Sequence, residues 1–577
     1  MKCYSKQSII KNNAKITGYV NNRFLLFILS SIPLFLQAQN APETFLYTAE
    51  KIYQSDTAFG IVEAMVVEKN TIVFLGNAKV ADSIYPKATH IAFKGKYIYP
   101  GFIDAHCHFL SYCRGLTQAN LWETQSEDAV IKRLKKYHKT NKEPWIIGQG
   151  WDQNNWPGTT MNGSNKPYPN MDKLNKAFPN VPVCLKRIDG HAVWINSAAK
   201  RLLLLNTDSL IDGGLFIKTP GLKGGQGDFS GICIDQAADF VQSKIPVLPF
   251  SSWKPSLLKG LKNCYAFGLT TLDEAGLSLS DINLIMALQE NGEMDMRIYA
   301  MLSQTEENLN YLATNGMIQT EKLSVRSMKL YLDGALGSNG ALLKKDYCGQ
   351  KGYRGLQLMS STTFDYIQQL LLSRGYQVCV HAIGDSANAM ALRSFNKNIP
   401  EGYDARWRIE HAQIVSQKDQ KLFAKRSIIP SVQPTHATSD AHWAENRLCG
   451  ESGQRISGAY AYADLLKQAK LLALGTDFPV EGLSPIHTFY SATQRMDAAG
   501  HLSKPFMGNQ ALTRKQALWG MTLWAAYSNF DEGRLGSLEE GKLADFVILD
   551  TDIMTIEAKK LLKTKTVATY IDGKRVW

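Results

Sequence analysis

The chain has 577 residues, of which 45% are hydrophobic and 20% charged. That composition excludes a collagen-like or intrinsically disordered chain, and the length allows a large core, either as several domains or as one large barrel with additions. The formal net charge is +12. Five of those charges, Lys2, Lys6, Lys11, Lys15 and Arg23, lie before residue 40, where no acid occurs, which leaves +7 for the rest. No Lys/Arg stripe with interleaved aromatics follows, so nucleic acid is excluded as the expected partner.

The basic N-terminal run ends at Arg23 and is followed by an apolar run, Phe24 to Leu36, interrupted by Pro33. Ala38 then offers a small residue for cleavage. Residues 1–39 therefore predict a secretory signal and a periplasmic or extracellular protein. The run is short for a membrane span, and an uncleaved anchor is the competing reading. No later segment is apolar enough to span, so no stable membrane insertion is expected once the signal is removed. Nine cysteines occur, Cys3 among them in the signal. The other eight are scattered without a CxxC pair, so disulfides are allowed in an exported chain but not required by spacing.

Residues 44–99 carry short β-branched runs broken by Gly and Asn, such as "GIVEAMVVEKNTIVFLG". The C-terminal segment, 535–577, looks the same, with "GKLADFVILD" and "TVATYIDGKRVW". The two ends are predicted to pair into a small β-sandwich. Between them, residues 100–534 alternate strand-like and helical stretches, the pattern of an α/β parallel sheet. Eight strands are predicted. The first is "IDAHCH", followed by Gly268–Gly276, Met296–Leu302, Val325–Gly334, Tyr376–Asp385, Trp407–Gln413, Ser427–Ala437 and Leu471–Val480. Eight is the number that closes a (β/α)8 TIM-type barrel. Residues 113–253 are too many for one connection and predict a large insertion after the first strand, lying over the catalytic mouth. Its "GGQG" lacks the Lys-Ser/Thr of a phosphate loop and reads as a flexible turn.

Residues i and i+2 of a strand share a face, so His106 and His108 aim together and Cys107 aims away. An HxH triplet alone is weak evidence for a metal. His381 and His411, however, end the fifth and sixth predicted strands, and Asp477 ends the eighth. A buried carboxylate needs a metal or a cation, and barrel closure brings all of these residues to one face. Lys329 alternates with Met328 and Leu330 and so points opposite to them. Burial would depress its pKa and make it a nucleophilic amine, able to add CO₂ and form an anionic carbamate. A lysine ion-paired to Asp333 or Asp385 is the other open reading.

This pattern resembles the amidohydrolase superfamily. The phrases "YPGFIDAHCH", "DGHAVWIN", "KLYLDGALGSNGALL", "VHAIGDSAN", "RIEHAQIV", "ALGTDFPVE" and "GKLADFVILD" resemble amidohydrolase family 3, which includes N-substituted formamide deformylases. The resemblance implies the barrel and terminal β-structure read above, and one or two divalent ions, commonly zinc. The implied ligands are His106, His108, His381, His411 and Asp477, with Lys329 at the position carboxylated in two-metal members. Asp477 is also implied as the catalytic proton acceptor. His191 matches a family position that could polarise a substrate carbonyl. Trp151 and Asp152 are read as shaping the pocket, and His436 as facing substrate from the end of the seventh strand. The expected activity is hydrolysis of a C–N bond in a linear or cyclic amide or an N-formyl group. Lactone opening, ring deamination and an exported binding protein without turnover are the alternatives. A small molecule is the expected partner, and a homodimer is left open.

Overall fold

The computed structural model describes residues 43–157, 167–208, 210–220, 226–449 and 455–577. The predicted signal, 1–39, lies outside the described residues, as do Gly224 and Gly225 of the "GGQG" patch. Gln226 opens a strand, Gln226–Asp235, that pairs antiparallel with Gly214–Pro220.

All eight predicted barrel strands are present: Phe102–Cys107, Leu269–Leu277, Arg297–Ser303, Leu323–Tyr331, Gln377–Ala382, Trp407–His411, Ile428–Val432 and Ala473–Leu474. Each pairs in parallel with the next. Their side chains are buried almost throughout, as expected for strands covered on both faces. The last two are shorter than the sequence predicts. Pro434, which cannot donate to a ladder, starts a helix, Pro434–Ser439, so His436 sits on a helical turn and not on a strand. After Leu474 the chain leaves the ladder, and Asp477 takes a left-handed conformation, φ +61°.

The first and eighth strands meet through isolated backbone bonds at the site itself. Asp477 N–H donates to His106 O at 2.7 Å, and His108 N–H donates to Phe478 O at 2.8 Å. Thr476 adds its Oγ1–H to Asp104 Oδ2 at 2.6 Å. This close approach requires Gly475, because a Cβ there would run into the His106 amide and Asp104. Gly475→Ala is therefore expected to destabilise the protein by about 1–3 kcal/mol and to spread the site, read by urea unfolding and by metal affinity together.

The two chain ends do pair. Strand Phe546–Leu549 runs antiparallel to Thr89–Pro100, with Ile548 opposite Ile98. Seven strands from both ends form one continuous hydrogen-bonded path, which curls until Thr71 bridges Leu543 of the C-terminal segment. Its two faces carry separate apolar clusters, one around Tyr47, Val67, Ile98 and Phe546 and the other around Leu46, Val66 and Ala81. Tyr47 meets Phe546 edge-on at 5.0 Å, and Phe546 stacks on Tyr570 at 4.4 Å. The sheet is tied to the barrel by Arg297, whose Nε and Nη2 reach Asp545 at 2.7 and 3.0 Å, with Asp572 also at 2.5 Å.

The insertion folds around its own six-stranded sheet, with a core that includes Trp151, Leu185 and Trp194. It docks on the segment after the fourth barrel strand. Tyr168 O–H donates to Ser338 O at 3.0 Å, and Asn154 Nδ2 donates to Gly337 O at 3.2 Å. That segment is linked by a Cys348–Cys449 disulfide to the end of the helical stretch after the seventh strand.

Candidate metal centre

The imidazoles at the barrel mouth are held from behind. His106 Nδ1 lies 2.5 Å from Glu410 Oε2, His108 Nδ1 2.9 Å from Ala275 O, and His411 Nδ1 2.8 Å from Gln433 Oε1. In each case Nδ1 is engaged, which leaves Nε2 as the atom available to the site. Asp477 Oδ1 sits 3.3 Å from His108 Nε2 and 3.7 Å from His106 Nε2. The ring of His381 lies 4.5 Å from that of His411.

Electrostatics favour the ligand forms of these groups. Burial, and then the nearby Lys329, lower His106 to about 4. Burial likewise pushes His381 and His411 well below their usual value, so all three imidazoles are neutral. Burial alone would raise Asp477, but the imidazole of His108 beside it outweighs that and holds the carboxyl well below its usual value.

Lys329 is buried and its pKa is lowered, first by burial. Its Nζ lies 3.0 Å from His106 Nε2. Neither predicted partner takes it. Asp333 accepts the backbone amides of Leu342, Ile383 and Gly384, and Asp385 accepts that of Lys344. The ion-paired reading of Lys329 is thus set aside, because both carboxylates are spent on loop backbone.

Beneath the histidines lies a buried charge layer that the sequence reading missed. Arg408 Nε donates to Glu410 Oε1 at 2.7 Å, and its Nη1 donates to Asp273 Oδ2 at 2.6 Å. All three side chains are fully buried. Burial would raise Glu410, but Arg408 and then His106 hold it well below the usual carboxylate range. The signal was present in "WRIEH": Arg408 and Glu410 stand two apart on one face of a buried strand. Three residues here hold positive φ, His411 (+72°), Ala412 (+38°) and Asp477 (+61°).

His191 comes from the insertion, its ring 5.0 Å from that of His381. Its Nδ1 lies 2.7 Å from Asp235 Oδ1. Burial would lower its pKa, but the hydrogen bond and charge of Asp235 raise it to about 9. Asp235 fits only because Gly334 and Gly340 leave no Cβ in its way.

His436 is also at the mouth, its Nε2 3.7 Å from Asp477 Oδ2. Trp151 is not. It is fully buried inside the insertion, with its indole N–H on Leu185 O at 2.8 Å and its ring against Trp194, so it supports the insertion and does not line the pocket. Asp152 is ion-paired to Arg187 and caps the turn Gln153–Asn155.

A divalent ion fits this donor set. Asp477 Oδ1, His381 Nε2 and His436 Nε2 are buried without any hydrogen-bond partner, a costly condition for polar atoms unless something satisfies them. Neutral imidazoles beside an ionised carboxylate suit first-row divalent metals.

The comparisons with known proteins agree with this geometry. Residues 90–577 match the family model described as "Amidohydrolase family". The chain is 28% identical over 551 residues to Protein LONG AFTER FAR-RED 3 of Arabidopsis thaliana, covering 92% of this chain and 91% of that one. It is 23% identical over 550 residues to N-substituted formamide deformylase of Arthrobacter pascens, covering 90% and 95%. The crystal structure of an uncharacterized metal-dependent hydrolase from Pyrococcus horikoshii superposes with a TM-score of 0.70 at 25% identity, covering 90% of this chain and 99% of that one. With the barrel, the converging imidazoles and a family match over most of its length, this chain belongs to the amidohydrolase family.

Proposed function

We propose that this protein is an exported metal-dependent hydrolase that cleaves the C–N bond of a small amide or N-formyl compound. The observation that carries the reading is the convergence of back-anchored imidazoles on Asp477. The assigned ligands are His106, His108, His381, His411 and Asp477, with zinc the first candidate ion and Lys329, whose burial disfavours the ammonium form, able to join the set after carboxylation. When bound, such an ion supplies Lewis acidity and makes water nucleophilic at neutral pH.

The protein's own groups do the rest. Asp477 accepts the proton of the attacking water and returns it to the leaving nitrogen. His191, kept cationic by Asp235, donates a hydrogen bond to the carbonyl oxygen as negative charge develops there. The insertion that carries His191 also helps to exclude bulk water. His191→Gln is expected to lower kcat by about 10²-fold with little change in KM, measured by steady-state kinetics.

The C–N assignment is supported by the relative named N-substituted formamide deformylase. Export is supported by the N-terminal apolar run and the Cys348–Cys449 disulfide. The deciding assay offers the purified, zinc-loaded protein N-formyl amines, lactones and aminopurines. Turnover of the first class supports the proposal. Turnover of lactones or aminopurines alone replaces it with lactonase or deaminase chemistry.

A further inference from the structure

The insertion that carries His191 meets the barrel at a junction of three chain segments, and Gly337 is its centre. A Cβ at Gly337 would stand 3.3 Å from Arg187 Nη1 of the insertion and 3.3 Å from Trp443 of the helix Ala441–Arg447. Arg447 ends that helix. Its Nη2 donates to Gly337 O at 3.2 Å and to Asn154 Oδ1 of the insertion at 2.9 Å. His442, on the same helix, places Nε2 2.9 Å from Asn155 Oδ1. The helix after the seventh strand therefore grips both the insertion and the segment on which the insertion docks.

The Cys348–Cys449 disulfide closes this junction. Cys449 lies just past Arg447, and Cys348 N–H donates to Arg447 O at 3.1 Å. On the other side, Tyr347 O–H donates to Ala341 O at 2.9 Å. Ala341 follows Gly340, where a missing Cβ makes room for Asp235, and Asp235 lies 2.7 Å from His191 Nδ1. A continuous line of contacts thus runs from the disulfide to His191. The hydrogen bonds along it are individually modest, whereas a covalent link keeps their partners at high effective concentration. Cys449 is exposed and Cys348 half-buried, while the free cysteines among the described residues are all buried. Buried thiols in apolar surroundings are inert, so thiol exchange falls on this pair.

We propose that the Cys348–Cys449 disulfide is a redox-sensitive latch: oxidised, it holds the insertion and its His191 at the barrel mouth, and reduced, it lets them move while the barrel stays folded. In the opening step a thiolate attacks one sulfur and frees the other, and a second thiol resolves the mixed disulfide. Two thiols become one disulfide, and the protein takes up two electrons and two protons. An oxidising compartment keeps the latch closed and a reducing one opens it. The kinetic consequence rests on the role given to His191 above; the latch itself does not.

The test compares the mature protein as isolated, the same protein reduced with a phosphine, and the double variant Cys348→Ser/Cys449→Ser. The phosphine leaves as its oxide, taking oxygen from water, and avoids a dithiol's competition for metal. Amide hydrogen exchange is followed by mass spectrometry, with bound zinc and kcat measured on the same samples. Opening the latch is expected to speed exchange at least about tenfold in peptides covering 149–157, 335–348 and 441–448, as a local opening does. The strands Gln377–Ala382 and Trp407–His411 and the zinc content are expected to stay unchanged. On the substrate found by the panel, kcat is expected to fall toward the about 10²-fold loss of His191→Gln, and the two changes combined are expected to add nothing further. Unchanged exchange, or free Cys348 and Cys449 thiols in the protein as isolated, overturns the latch. So does exchange that rises equally in the barrel strands, which marks a general staple. Local loosening with kcat unchanged overturns the link to His191. If no substrate is turned over, the hydrolase reading fails and exchange alone decides the latch. If the double variant does not fold, the phosphine-reduced protein decides.

Discussion

Asp477→Asn is expected to bind metal yet turn over its substrate about 10²–10⁴-fold more slowly than wild type, the range for loss of a general acid–base group. The amide keeps the shape of the carboxylate and one oxygen donor, and the backbone contact of Asp477 N–H to His106 O is untouched. What it removes is the ionised carboxylate that His108 and its neighbours stabilise. The measurement pairs metal content with kcat on the substrate found by the panel above. Loss of metal and activity together would show Asp477 to be chiefly a ligand. Retained activity would remove it from the chemistry.

Arg408→Ala is expected to be the most destabilising single change near the site, by about 3–5 kcal/mol, the typical cost of breaking a buried ion pair from one side. Arg408 is fully buried, and it also donates to Ala105 O and Ser431 Oγ. Its removal leaves Asp273 and Glu410 buried without their common cation. Glu410 orients His106 through Nδ1, so metal affinity should fall as well. The pH dependence has a definite sign. Glu410 has its carboxyl pKa lowered in the folded protein, so its contribution is fully present above its ordinary value of 4.5 and is lost as pH falls through the lower folded value. Without Arg408 that window moves up, and acid unfolding should begin at higher pH than in wild type. Urea denaturation across pH checks both statements.

Several of the groups that meet at the barrel mouth were legible in the sequence, because each stands at the end of a predicted strand. His381 in "QVCVHA" and His411 in "RIEHA" each follow a run of residues that pack, and each stops where the mouth opens. The same logic hid Glu410 and Arg408. A strand pattern reports which face a side chain takes, but it does not show that Arg408 on that face meets Asp273 from a strand more than a hundred residues away. Trp151 misled for a related reason. Its neighbour Asp152 and the surrounding polar "GQGWDQNN" look like a pocket, while the ring itself points into the core of the insertion.

By itself the sequence determined the eight-strand order and the pairing of the two chain ends. These follow from local periodicity and from the steric rule that alternate strand residues share a face. Only the tertiary structure decided the rest. It showed Lys329 free of Asp333 and Asp385, Asp235 behind His191, and His436 turned toward Asp477. Those outcomes depend on which distant backbones come close enough to touch, at Gly475, Gly334 and Gly340 above all, and contacts of that kind are set by packing between elements rather than by the pattern within any one of them.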